Sequence, residues 1–228
     1  MREENGSRNR GTTTSKRQIP LICVLVALVL FLVATRLYPG GTLDDPTVKG
    51  FDWSRNYLTQ LFRPAALNGQ PNSARPCAIA GMWLLCVGIA ELFRQLAKDM
   101  APSRHSKWVQ ISGIATTVYA ALTVTRMHDL MLTISLGFLV AVDIVLLHWL
   151  GQRRQLPQWV AGMATLALLL ITSFVYYRHV YYQQMVSLVL PALQKLVFLS
   201  SVCWLLWLHK SAAVEAPVVV NLGRQGTA

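Results

Sequence analysis

Long stretches of this chain contain almost nothing that could face water. The first covers about residues 19–38, and five more cover roughly 76–97, 108–127, 129–150, 158–177 and 187–208. About twenty apolar residues, rising 1.5 Å each as a helix, match a hydrocarbon core of roughly 30 Å. Inside lipid every backbone N–H and C=O must be bonded within the protein, so such stretches fold as helices and not as open strands. The fold class that follows is all-α: a polytopic transmembrane bundle of six spans.

Charge supports this reading. Only 14% of the residues are charged and 54% are hydrophobic, whereas a soluble domain carries about a quarter charged residues. The net charge of +11 raises the question of nucleic acid. The basic residues, however, are divided among short segments between apolar runs, with no basic stripe and no recognition motif, so no nucleic-acid partner is expected. Membrane lipids are the expected surroundings, and composition fixes no oligomeric state.

Residues 1–18 are polar and basic and are expected to be a disordered cytoplasmic tail. A basic start followed by an apolar run also describes a signal peptide. This run is long for one, and it ends in Ala34-Thr35-Arg36-Leu37-Tyr38 with no small-x-small cleavage site, so an uncleaved first helix is expected. Residues 19–208 then form the membrane domain and 209–228 a flexible cytoplasmic tail. Residues 39–74 form the long loop, which opens on Pro39-Gly40-Gly41. Within it Trp53, Tyr57, Leu58, Leu61 and Phe62 recur at helical spacing, which predicts a short interfacial helix over 52–62.

Orientation follows from Lys and Arg. With the N-terminus inside, thirteen of the 21 basic residues lie in inner segments and seven in outer ones, and Lys195 falls within a span. Both termini are therefore expected in the cytoplasm and the 39–74 loop outside, in a bacterial inner membrane. Trp108, Trp149, Trp159 and Trp207 then form an inner aromatic belt, and Tyr176, Tyr177, Tyr181 and Tyr182 an outer one.

Charges within a span are costly and usually face the bundle interior. Glu91 and Asp143 lie about 21 Å below the outer surface and Lys195 about 13 Å below it, at 1.5 Å per residue. One reading makes Glu91, Asp143 and Lys195 a polar centre for an ion, a proton or a polar headgroup. The other is structural: Glu91 pairs with Arg94 one turn on, and Asp143 and Lys195 neutralise each other across helices. At the outer rim Arg126, His128 and Asp129 stand in a tight turn and Arg178 and His179 follow the fifth span. His128, Asp129 and His179 are the candidates for catalysis, against a solvated turn with local ion pairs. Neighbours on a helix point about 100° apart, so His128 and Asp129 need not converge.

No HExxH, GxSxG or phosphate-binding glycine loop is present, and neither a cofactor nor a metal is expected. Cys23, Cys86 and Cys203 lie inside apolar runs and Cys77 starts one; without a CxxC or a His at metal spacing they read as buried, inert thiols.

Tyr38-Pro39-Gly40-Gly41, Asn56-Tyr57-Leu58-Thr59-Gln60-Leu61 and Asn68-Gly69-Gln70-Pro71-Asn72-Ser73 together resemble the bacterial membrane family called domain of unknown function 998. The resemblance implies a similar size, helix number and long first loop, and it carries no activity with it. The family pattern reads Asn-aromatic-Leu-Ser-Asp-Leu-Gly. Here Thr59, Gln60 and Phe62 replace its Ser, Asp and Gly, so any role of that acid is lost. Asn56, which heads the motif, joins Glu91, Asp143 and Lys195 as a candidate for ligand binding. The expected function is non-enzymatic: binding or moving a lipid or small solute. An intramembrane lipid hydrolase using the rim His and Asp groups, or a subunit of a membrane complex with no site of its own, are the alternatives.

Overall fold

The computed structural model describes the backbone of residues 3–100, 102–125, 127–182 and 189–215, and side chains over 17–100, 102–125, 127–178 and 189–212. Six α-helices follow one another: α1 (Glu3–Leu37), α2 (Arg75–Asp99), α3 (Arg104–Leu122), α4 (His128–Gln152), α5 (Leu156–Tyr182) and α6 (Leu190–Glu215). Five of them, all but α3, contain segments long and apolar enough to cross a membrane. α1 reaches back into the basic segment expected to be disordered, and α6 runs past residue 208 into the segment expected to be a flexible tail.

Local chemistry sets the helix ends. α2 begins with Pro76 in its first turn, where a missing N–H costs nothing. α3 begins with a capping box in which Ser103 and Ser106 each accept the other's backbone N–H. α4 ends with Arg154 in the left-handed region at φ 55°. The Gln155 N–H reaches back to the Leu150 carbonyl at 3.2 Å and the Arg154 N–H to that of Gly151 at 3.2 Å, which closes the last turn.

The helices pack mainly as sequential antiparallel neighbours, α1 on α2, α2 on α3 and α3 on α4, while α6 returns to α2. Val24, Ala27, Leu92, Phe93, Leu96, Leu146, Leu150, Leu205 and Leu208 form the dry centre. Ile22, Val29, Trp83, Ile111, Ile144, Ile171, Phe174 and Leu199, each more than half exposed, cover the outside. A soluble protein rarely shows so much contiguous apolar surface; in a bilayer it is the lipid-facing wall. The free thiols divide between the two: Cys86 is buried and Cys203 is exposed on this wall, contrary to the expectation that all four are buried.

The 38–74 loop folds back on itself at one end of the bundle. Gly40 and Gly41 adopt φ +135° and +88°, and a Cβ on Gly41 would lie 2.4 Å from the Asn68 nitrogen. Only glycine serves where the chain turns this tightly against another strand of loop. The helix expected over 52–62 is confined to a 3-10 turn at Leu58–Phe62. Upstream, Asp52 and Asn56 divert the backbone: the Asp52 carboxylate accepts the N–H groups of Ser54 and Arg55, and Asn56 Oδ1 accepts that of Asp52. Short polar side chains compete with helical hydrogen bonds in this way. Leu61 and Phe62 do turn into the bundle, whereas Trp53 remains half exposed.

Candidate functional site

The loop is fastened to the bundle from two directions. Asn56 is fully buried. Its Nδ2 donates to the Gly41 carbonyl at 2.8 Å and to Gln60 Oε1 at 2.5 Å, while its Oδ1 accepts the Asp52 N–H at 2.8 Å. Asn72 Nδ2 lies within 3.3 Å of the carbonyls of Gln60, Leu61 and Arg63, holding the far limb. From below, α6 supplies Gln194, whose Oε1 accepts the Leu58 N–H at 2.9 Å. Its neighbour Lys195 extends Nζ to the Asn56 carbonyl at 2.6 Å and the Pro191 carbonyl at 3.0 Å. The Phe51 ring lies 5.8 Å from the same ammonium.

Two of the sequence candidates, Asn56 and Lys195, thus meet directly. An ammonium carries three N–H groups. Two are engaged, and the third has no described acceptor. Above it, Asp52 sits at the water-facing side of the loop. The Ser54 hydroxyl holds its carboxyl below the usual carboxylate range, aided by the backbone N–H groups of Ser54 and Arg55 against a smaller effect of burial.

The expected neutralisation of Asp143 by Lys195 is not what the structure shows. Lys195 is taken by the carbonyls of Asn56 in the loop and Pro191 in α6, and no ion pair joins it to Asp143. Asp143 lies in α4 beside the fully buried Val142 and Leu146, is 2% exposed, and has no ion pair or hydrogen bond among the described residues. The two groups stand at different depths, and the flexible lysine finds acceptors nearer its own. Removing a buried carboxyl that has no partner removes a desolvation cost of about 1–3 kcal/mol. Asp143→Leu is therefore expected to raise the thermal unfolding temperature of the purified protein. A fall would show that the carboxyl is bonded after all.

Glu91 is satisfied on its own helix. Its carboxylate takes the Arg94 guanidinium in a two-pronged contact, and Gln95 Nε2 adds a bond of 2.7 Å. Glu91 thereby joins neither Asp143 nor Lys195, and the three-residue centre is not assembled.

At the rim, His128 and Asp129 converge despite their adjacency: Nδ1 lies 3.0 Å from Asp129 Oδ1, which also accepts the Tyr176 hydroxyl at 2.8 Å. His128 Nε2 is buried and has no hydrogen-bond partner among the described residues. This trio can orient an imidazole and exchange a proton at the rim, but no nucleophile among the described residues is bonded to it. The side chain of His179 and all of Arg126 lie outside the described residues. No cluster of three or more His, Cys, Asp or Glu suited to a metal occurs among the described residues.

Sequence reasoning missed several groups. Gln194 is one, although a Gln-Lys pair in an apolar run is itself a signal. Gln60 is another; it stands where the resembled family has its acid and bonds Asn56. At the opposite end of the bundle Arg17 Nη2 pairs with Asp99 Oδ2 at 2.7 Å, and His209 Nε2 donates to the Arg17 carbonyl at 3.1 Å, tying α1, α2 and α6 together. Compared with known proteins, the chain matches no family model, no curated protein and no solved structure.

Proposed function

We propose that the chain is a six-span inner-membrane protein of the kind its loop motifs resemble, with both ends in the cytoplasm. It binds or moves a lipid or small solute at the junction of the 38–74 loop and α6. α3 is the sixth span: Phe93 of α2 closes on its Gly113, Ser135 of α4 bonds its Thr116 carbonyl, and His105 stacks on His148. These contacts, from His105 to Thr116, pack α3 between α2 and α4 and support reading it as a span. Its lower apolarity reflects Ser112, Thr116 and Thr117, all buried against its neighbours.

The observation that carries the binding reading is the Lys195 ammonium. Charges in a span pair with one another or with backbone carbonyls; this one takes the carbonyls of Asn56 in the loop and Pro191 in α6, and among the described residues no acid is bonded to it and its third N–H has no acceptor. It fits a ligand that carries a phosphate or carboxylate and enters from the loop side. Dihexanoyl phosphatidate, a short water-soluble anionic lipid, tests this. Titrated into the purified protein in maltoside detergent, it is expected to raise the unfolding temperature of the wild type and to leave that of Lys195→Met unchanged. An equal rise in both would remove Lys195 from the binding site.

A further inference from the structure

At the end of the bundle away from the loop, α4 and α5 part to leave a crevice of about 500 Å³. Ile144, Leu147, Met163 and Leu166 form its walls, and Gly151 and Trp159 form its mouth, close to the α4–α5 turn. The crevice is open along the lipid-facing side, where Ile144 is 55% and Met163 41% exposed. Ile144 to Gln152 is eight residue steps, about 12 Å of axis at 1.5 Å per step, so the crevice extends well below the interface.

The mouth is polar and basic. His148 and Gln152 line it, and the Gln152 amide donates to His148 Nε2 at 3.0 Å. His105, on the first turn of α3, stacks on His148 with ring centroids 5.3 Å apart, which brings the start of α3 alongside. Arg104 and Lys107 flank His105, and Arg153 and Arg154 follow Gln152 in the turn; all four are exposed. The Arg153 guanidinium lies over the Trp149 ring at 4.4 Å, which holds it at interface height. The segments that form the rim carry no acid of their own, since the sequence has none between Asp99 and Asp129 and none between Asp143 and Glu215. Asp99 itself is paired with Arg17.

We infer that this crevice is a binding site for an anionic phospholipid, one acyl chain lying between α4 and α5 and the phosphate held by the basic turn. An apolar slot that opens sideways into lipid suits an acyl chain, and a cationic rim at its interfacial end suits a phosphate bearing net negative charge. Basic pockets between spans at the cytoplasmic face take anionic headgroups in this way. The site requires that the chain cross a membrane. It shares no residue with the loop and Lys195, so it stands or falls independently of binding there.

Competition between two lipids tests it. The delipidated protein in detergent is offered equal amounts of phosphatidylglycerol and phosphatidylcholine of identical chains, and retained lipid is counted by native mass spectrometry. The wild type is expected to keep phosphatidylglycerol with at least a tenfold preference. The double change Arg153→Gln and Arg154→Gln removes charge at the rim and is expected to abolish that preference. Gly151→Leu leaves every charge in place but fills the mouth, since a Cβ there already meets the Trp159 ring at 3.6 Å; it is expected to lose retention of the lipid itself. Soluble glycerophosphoglycerol should not displace the bound lipid. Equal retention of the two lipids by the wild type overturns the proposal, as does an unchanged preference in both variants. A lipid-free dimer would assign the crevice to a second copy and overturn it equally, and displacement by the soluble headgroup would leave no role for the acyl slot. Repeating the competition in a Lys195→Met background removes any lipid held at the loop from the count, which keeps a failure at this site apart from a failure at the loop.

Discussion

Asn56→Ala is expected to cost about 3 kcal/mol or more, because it leaves the Gly41 carbonyl, Gln60 Oε1 and the Asp52 N–H without their partner, each worth roughly 1–3 kcal/mol when buried. In a chain of this size that corresponds to a fall of about 6–12 °C in unfolding temperature. The loss should concentrate in the loop. Hydrogen exchange of residues 40–62 is expected to accelerate while α2 to α4 keep their protection, because Asn56 joins two limbs of the loop and its side chain bonds none of the α-helices. Leu43→Ala, on the same loop and 53% exposed, serves as the control and should stay within about 0.5 kcal/mol of the wild type. Equal effects of the two changes would mean that the buried asparagine does not organise the loop.

Gly113 predicts the second large effect. A Cβ placed there would lie 2.3–2.7 Å from Phe93 atoms, and Phe93 is fully buried. The ring cannot withdraw, since Leu92, Leu96 and Val109 are buried in the same cluster. Gly113→Ala should therefore cost about 1–3 kcal/mol by overpacking, and Gly113→Val more. Combining Gly113→Ala with Phe93→Leu should cost less than the sum of the two single changes, because the smaller side chain makes room for the methyl group. Gly137, with nothing within 4 Å of a built Cβ, should instead gain from the change to alanine, up to about 1 kcal/mol of helix propensity. Additive losses in the double variant would show that Gly113 and Phe93 are not in contact.

The helices were legible in the sequence because the signal for a span lies within one segment: about twenty residues without charge. Boundaries were legible where a cap is local, as with Pro76 or Ser103. The 52–62 segment misled because its apolar spacing is helical, while the competing bonds come from Asp52, Asn56 and, across the fold, Gln194. That last partner stands 136 residues from the Leu58 N–H it bonds, and no local pattern announces it. Lys195 failed as a partner for Asp143 for a related reason. Depth along each helix can be counted from the sequence, but which neighbour a side chain faces depends on helix rotation, and neutral backbone carbonyls carry no sequence signature. Glu91 and Arg94, by contrast, sit three residues apart on one helix, where local spacing is sufficient.

Cysteine accessibility at three positions tests the membrane arrangement most directly. In a background with Cys23, Cys77, Cys86 and Cys203 replaced, single cysteines are placed at Asn68 in the long loop, at Thr125 between α3 and α4, and at Arg154 between α4 and α5. A membrane-impermeant maleimide added to intact cells is expected to label Asn68→Cys and Thr125→Cys at once, and Arg154→Cys only after permeabilisation. Labelling of Arg154→Cys in intact cells with protection of Asn68→Cys would invert the topology. Protection of Thr125→Cys together with Arg154→Cys labelled from outside would show that α3 does not cross, and would contradict the six-span bundle.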